Sequence, residues 1–326
     1  MHENPFIEEP TYFDNKIRGM WFSGQGRVFN THGDNGGIQG IWNAQGQVQG
    51  IYDAPKKTVW KSGAFQEGST QKAVKSLERD MTLGFHCIET DTRTAEANES
   101  DFRMMFEYEV DEWDDDPEPT IMHIETDQSG ERRLDLLMYD TPTMESDTDP
   151  IEGQYFNLIL KVRAGQPNWY ELDPITGAAH KTVFEDSATS AEGYIEVENP
   201  TDTEMRHEWV LTRATWNVPD PSWRGGRGKR RPAGQYGSRV VTLKPITAIQ
   251  GGIRISLDGS KLHVRDFNYT NAIGAIMPAG KRIIHRIPPY TPKTRLPISY
   301  TAAPPGGARA ELIQPRRWTR PWGQEL

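Results

Sequence analysis

A mainly β chain with one or two helices, folded as two domains, is predicted by three features of the sequence. Its 326 residues exceed one ordinary hydrophobic core but suffice for two. Its 30 Gly and 23 Pro interrupt the chain too often for long helices. Its apolar residues alternate with polar ones over short runs, the period of a half-buried strand. Ten Trp, eleven Tyr and eleven Phe supply large side chains for the interior.

The elements follow in order. Between Gly19 and Gly63, glycines are interleaved with Trp21, Trp42, Ile51, Tyr52 and Trp60, which predicts short strands joined by tight turns. Gly24-Gln25-Gly26 reads as one of those turns, because the third glycine of a dinucleotide fingerprint is missing and no βαβ pattern surrounds it. Met81 to Thr92 reads as a strand. A helix then places Ala95, Phe102, Met105 and Phe106 on one face, with Glu96, Glu99 and Asp101 near the positive end of its dipole. Asp111 to Glu118 is a solvated acidic loop, since adjacent carboxylates repel one another out of water. Met122 and Ile124, the turn Asp127-Gln128-Ser129-Gly130, and Leu134, Leu136 and Met138 spell a hairpin. Phe156, Leu158, Leu160 and Val162 line one face of a further strand.

Strand patterning then gives way to Gly165-Gln166-Pro167-Asn168-Trp169 and a polar stretch to about Glu192. The domain boundary is expected within it, giving domains 1–180 and 181–326. Beyond it, Ile195 and Val197, Trp209 and Leu211, Val241 and Leu243, and Ile253, Ile255 and Leu257 repeat the period of two between turn signals, the pattern of a β-sandwich. Pro288-Pro289, Pro304-Pro305 and Pro315 cannot lie within central strands, so the last 40 residues are expected to wrap the sandwich edge or reach a neighbour.

The net charge of −9 conceals an asymmetry. From Pro221 onward, 19 Lys and Arg stand against four acids, whereas the preceding residues hold 18 bases and 42 acids. Opposite ends of such a chain can steer copies or neighbours together. No basic leader or long apolar run occurs, so neither export nor membrane insertion is expected. The single cysteine, Cys87, excludes an internal disulfide framework and fits assembly in a reducing cytoplasm.

The chain is not expected to be an enzyme, and no residue is singled out as catalytic, cofactor-binding or metal-ligating. His86 and Cys87 are sequence neighbours, which point to opposite faces of a strand and cannot form a dyad. The nucleophile elbow Gly-x-Ser-x-Gly is absent, and no two histidines stand at the i, i+4 spacing of a helical metal site. The basic run Arg224 to Arg231, flanked by Trp223 and Tyr236, has the chemistry to clamp phosphates. On a chain of net negative charge it reads better as a solvated or protein-contacting loop.

Three groups of residues carry a family resemblance. Phe156-Asn157-Leu158-Ile159-Leu160-Lys161-Val162-Arg163-Ala164 with Pro167-Asn168-Trp169 is the first, and Gly193 to Asp202 with Glu208-Trp209 is the second. Arg286-Ile287-Pro288-Pro289-Tyr290-Thr291 and the ending Gln314 to Gly323 form the third. With them the chain resembles the distal tail proteins of non-contractile siphophages, above all the minor tail proteins of actinobacteriophages. The resemblance implies an N-terminal belt-type β domain and a galectin-like β-sandwich with a Pro-rich C-terminal stretch. It implies a structural component of the virion, at the tail tip: a homo-hexameric ring joining the tail tube protein to the tip hub protein. The genome would pass through the ring without specific binding, and no cofactor is implied. An alternative is a carbohydrate-binding host-recognition module, with Trp113, Trp216, Trp223, Trp318 and Trp322 as its sugar platform. The His-x-Asn-x-Arg and Trp-x-x-Glu-x-Arg sets by which true galectins hold a sugar are absent, so galectin-like describes shape. A chain ended near Glu171 is expected still to form rings.

Overall fold

The computed structural model describes residues 16–110, 119–145 and 149–325. The acidic run Asp111 to Glu118, with Trp113, lies outside them. The chain divides into two compact units, Met1–Tyr170 with Thr319–Gly323, and Glu171–Trp318 with Gln324–Leu326. The passage between them therefore falls ahead of the expected 180/181, and a short segment near the C-terminus returns to the first unit.

The first unit holds β1 (Ile17–Gly24), β2 (Arg27–Gly33), β3 (Ile41–Gln49), β4 (Lys56–Lys61), β5 (Thr70–Ser76), β6 (Arg79–Ile88), α1 (Ala95–Arg103), β7 (Thr120–Thr126), β8 (Gly130–Met138), β9 (Thr143–Glu145), β10 (Tyr155–Ala164) and the start of β11 (Trp169–Glu171). An antiparallel sheet runs β2-β1-β7-β8-β10-β6-β3, with β9 on β10. Alternation decides its faces. In β10, Phe156, Leu158, Leu160 and Val162 are buried while Ile159, Lys161 and Arg163 are less so. Thr94 caps α1, its hydroxyl accepting from the Ala97 N–H, and Glu96 sits in the first turn. The buried Phe102 of this helix meets Phe29 and Phe85 edge-on at 5.2 and 4.7 Å between ring centres, and Phe22 and Phe106 complete the aromatic core. Gln25 and Gly26, both at positive φ between the paired Gly24 and Arg27, make the two-residue turn that a right-twisted hairpin prefers.

The second unit holds β12 (Lys181–Asp186), β13 (Ala191–Asn199), β14 (Glu208–Thr212), β15 (Thr215–Pro219), β16 (Trp223–Arg224), β17 (Arg231–Pro232), the single-turn α2 (Gly234–Gly237), β18 (Val240–Thr242), β19 (Gly252–Ser256), β20 (Val264–Asp266), the single-turn α3 (Ile273–Ile276), β21 (Thr291–Thr301), β22 (Ala308–Ile313) and β23 (Arg316–Trp318). Its two sheets run β12-β22-β14-β19-β20 and β13-β21-β15-β18. Side chains of both, among them Val197, Trp209, Trp216, Ile255, Ile298 and Leu312, enter one buried cluster, so the unit is two-layered.

Two expectations for this unit change. The stretch expected to be a polar linker contains β12, a strand at the end of its sheet whose Lys181, Val183 and Glu185 face solvent. Charged, one-sided sequence of this kind is what an edge strand carries, and it hides the strand from pattern reading. The last 40 residues do not merely wrap the edge: β21 and β22 lie inside the two sheets. The named prolines fall outside both strands, but Pro297 lies within β21. There β15 registers only with Ser299, Tyr300 and Thr301, so Pro297 stands beyond the ladder on that side, where a missing N–H costs nothing.

The residues that carried the resemblance meet in space. Asn199, fully buried, donates to the carbonyls of Thr203, Ile287 and Pro288 while its own Oδ1 accepts from Thr201. Tyr290 N–H donates to Thr201 O, and Met205 pairs with Ile287. A buried amide satisfied on both ends holds these two loops in one register.

Candidate interaction surfaces

Three features of the described residues stand apart from the packed interiors. The first is the hairpin of β4 and β5. Lys56 pairs with Ser76 and Lys61 with Thr70, and the two strands form a sheet of their own. Every residue from Trp60 to Glu78 is exposed. Trp60 is 54%, Val74 53% and Phe65 104% exposed, although aromatic and β-branched residues cost free energy when left in water. Lys56, Lys57, Lys61, Lys72 and Lys75 line the same element. An isolated two-stranded hairpin is marginal in water, so this one presents both its edges and its apolar side chains for association.

The second is the basic loop. β16 and β17 pair Trp223 with Pro232 and Arg224 with Arg231, and the intervening residues 225–229 are exposed. Arg227 stacks over the Tyr290 ring at 4.7 Å, and Gly228 N–H donates to Tyr290 O at 3.2 Å. The loop is thus anchored at its tip by one aromatic ring and leaves its other cations outward.

The third is a cleft of about 140 Å³ in the second unit, walled by Asp173, His180, Glu196, Glu198, Lys293 and Arg316. Its charges are matched to one another. Arg316 meets Glu171 at 3.0 Å and Glu198 at 3.4 Å, Lys293 meets Glu196 at 2.8 Å, and Trp318 Nε1 donates to Glu171 at 2.9 Å. His180 lies 3.3 Å from Glu171 and 3.6 Å from Asp173, yet burial, aided by Arg316, holds its pKa below the usual imidazole value. The network pairs the opposite charges of the cleft, while His180 Nε2 and Arg316 Nε are buried without a hydrogen-bond partner among the described residues.

The sequence-stated candidates are dispersed. Cys87 is fully buried, and burial pushes its thiol up to about 12, a group inert as a nucleophile. Neighbouring His86 bonds the Tyr155 hydroxyl at 2.6 Å instead. Of the tryptophans considered as a sugar platform, Trp216 and Trp318 are buried and Trp223 packs against the core of its unit. Trp322 stands 5.7 Å from Tyr52. Composition could not separate these tryptophans from ligand-facing ones, because both uses favour the same residue. The hairpin was the surface that pattern reading missed, although Lys56 to Lys61 and Thr70 to Ser76 lack any buried face.

No protein-family model matches the chain. Two curated proteins do: the minor tail protein Gp27 of Mycobacterium phage D29, 24% identical, and the minor tail protein Gp27 of Mycobacterium phage L5, 25% identical. Each alignment covers 89% of this chain and 94% of the relative. The fold is similar to the crystal structure of the Dit protein (gp 19.1) of phage SPP1, described as a paradigm of the hub adsorption apparatus in phages that infect Gram-positive bacteria. That match has a TM-score of 0.52 and 8% identity over 91% of this chain and 98% of the other. Over nearly its whole length the chain is similar to phage minor tail proteins. None of its described helices is long and apolar enough to cross a membrane.

Proposed function

We propose that this chain is a minor tail protein, a structural component of the virion tail, and that it forms a homo-hexameric ring at the tail tip that joins the tail tube protein to the tip hub protein. The first units build the ring as belt domains, and the second units are galectin-like. The reading rests above all on the exposed hairpin of β4 and β5, which carries apolar side chains and lysines that a second copy can cover. Charge supports it: the first unit holds 31 acidic against 16 basic residues, and the second 15 against 21. A lysine-rich arm on an otherwise acidic unit is complementary to the body of its neighbour. An acidic lumen would also let the genome pass without the counterion release that tightens protein–DNA contacts. The proposal assigns no catalytic step and no cofactor. Light scattering and electron micrographs of the purified protein are expected to show closed rings. A strict monomer at micromolar concentration and low salt, with no ring after tube protein is added, or tight salt-dependent binding of duplex DNA, would count against it.

A further inference from the structure

The first unit contains two arginines that are among its most buried side chains, Arg79 at 1% and Arg132 at 0% exposure. A buried guanidinium needs partners in fixed positions, and these find them chiefly in backbone carbonyls. Arg79 donates to the carbonyls of Pro167 at 2.8 Å, Gly50 at 3.0 Å, Ile51 at 2.7 Å and Thr319 at 2.9 Å. Arg132 donates to those of Arg320 at 2.9 Å and Gly323 at 3.1 Å. Three of these six acceptors belong to the returning segment Thr319–Gly323, which follows Glu171–Trp318, all but the last three residues of the second unit.

The rest of the segment is held in the same manner. Ala54 N–H donates to Thr319 O at 2.9 Å, and Gly323 N–H donates to Ser129 Oγ at 2.8 Å. One side chain adds register: Arg320 forms a two-pronged pair with Asp53 and stacks over Tyr52 at 4.6 Å. Gly323 has φ +71, a left-handed conformation that side chains disfavour.

We propose that Arg79, Arg132, Ala54 and Ser129 form a binding site for a short, bent peptide segment, recognised chiefly through its backbone, and that its resident ligand is this chain's own Thr319–Gly323. Docking of that segment completes the first unit. Because the segment lies beyond Glu171–Trp318, the first unit reaches its final stability only after that span of the second has been synthesised. The inference does not depend on the ring.

The test leaves the site intact and disables the resident segment in the full chain, by combining Arg320→Glu with Gly323→Val. The first change replaces the Asp53 pair by repulsion, and the second forbids the local backbone. The expected result is a melting temperature lowered by several degrees and partly restored by a synthetic peptide of residues 319–325. The labelled peptide is expected to bind the disabled chain at least about tenfold tighter than the unaltered chain, whose site is filled. Adding Arg132→Met to the disabled chain should abolish that binding. Equal binding to both chains, binding to neither, or unchanged melting of the disabled chain overturns the proposal. Hydrogen exchange on the unaltered chain provides a reading that needs no variant. The amides of Ala54 and Gly323 are expected to open together and faster than those of β10, and exchange only in step with β10 overturns a separable segment.

Discussion

At the scale of single residues, burial rather than proximity sets the chemistry. His207 is enclosed in the second unit edge-on to Trp209, 6.2 Å between ring centres, and burial lowers its pKa from 6.5 to about 4. The neutral ring is the form the interior accepts. Its contribution to stability is therefore complete above about pH 6.5 and is lost as the pH falls toward 4, a loss of about 3 kcal/mol by linkage. Urea denaturation at a series of pH values should show that decline, and His207→Phe should flatten it. A variant as acid-sensitive as the unaltered protein would assign the decline elsewhere. Glu131 shows the opposite balance: burial pushes its pKa up, but hydrogen bonds from His123 and Arg133 outweigh it and hold the carboxyl at about 2.

At the scale of elements, legibility followed burial. The hairpin of β7 and β8, its turn at Gly130 and strand β10 all appear in the sequence as alternation, because one side of each packs inward; of the expected helix face, Ala95 and Phe102 lie on α1, while Met105 and Phe106 fall past its end at Arg103. The edge strand β12 and strand β5 lack that contrast, so β12 reads as linker and β5 carries no signal, whereas β4 falls in the glycine-rich region whose composition predicts short strands. The arm yields a sharp prediction. Trp60→Glu combined with Val74→Glu alters only exposed side chains, so the melting of the single chain should change by no more than about 0.5 kcal/mol. Self-association should nevertheless be lost in light scattering. Rings that persist in this variant would remove the arm from the interface.

At the scale of the molecule, the division of charge follows the division into units but is less sharp than the one at Pro221, because the acidic residues between 171 and 220 belong to the second unit. The negative excess resides in the first unit, while the second is net positive. The return of Thr319–Gly323 also revises what truncation should do. A chain ended near Glu171 lacks three carbonyls that Arg79 and Arg132 require. Removing partners from a buried charge typically costs about 3–5 kcal/mol. Calorimetry is expected to show that fragment melting well below the first unit of the full chain, and it should form rings poorly. A fragment as stable as the parent would show that these contacts contribute little.

The sequence by itself determined the β class, the positions of the buried-face strands and the turns that join them. Those properties depend on local periodicity and backbone preference, which neighbours in sequence already express. The resemblance to minor tail proteins was legible there too, carried in part by Asn199-Pro200 and Ile287-Pro288-Pro289, whose loops meet. Only the tertiary structure decided that these loops touch, that β21 and β22 enter the two sheets, and that the first unit closes on residues 319–323. Each of these is a pairing between segments far apart in sequence, in which at least one partner is a carbonyl or amide that every residue carries. Backbone recognition leaves no trace in side-chain identity, so no reading of residue types can find it.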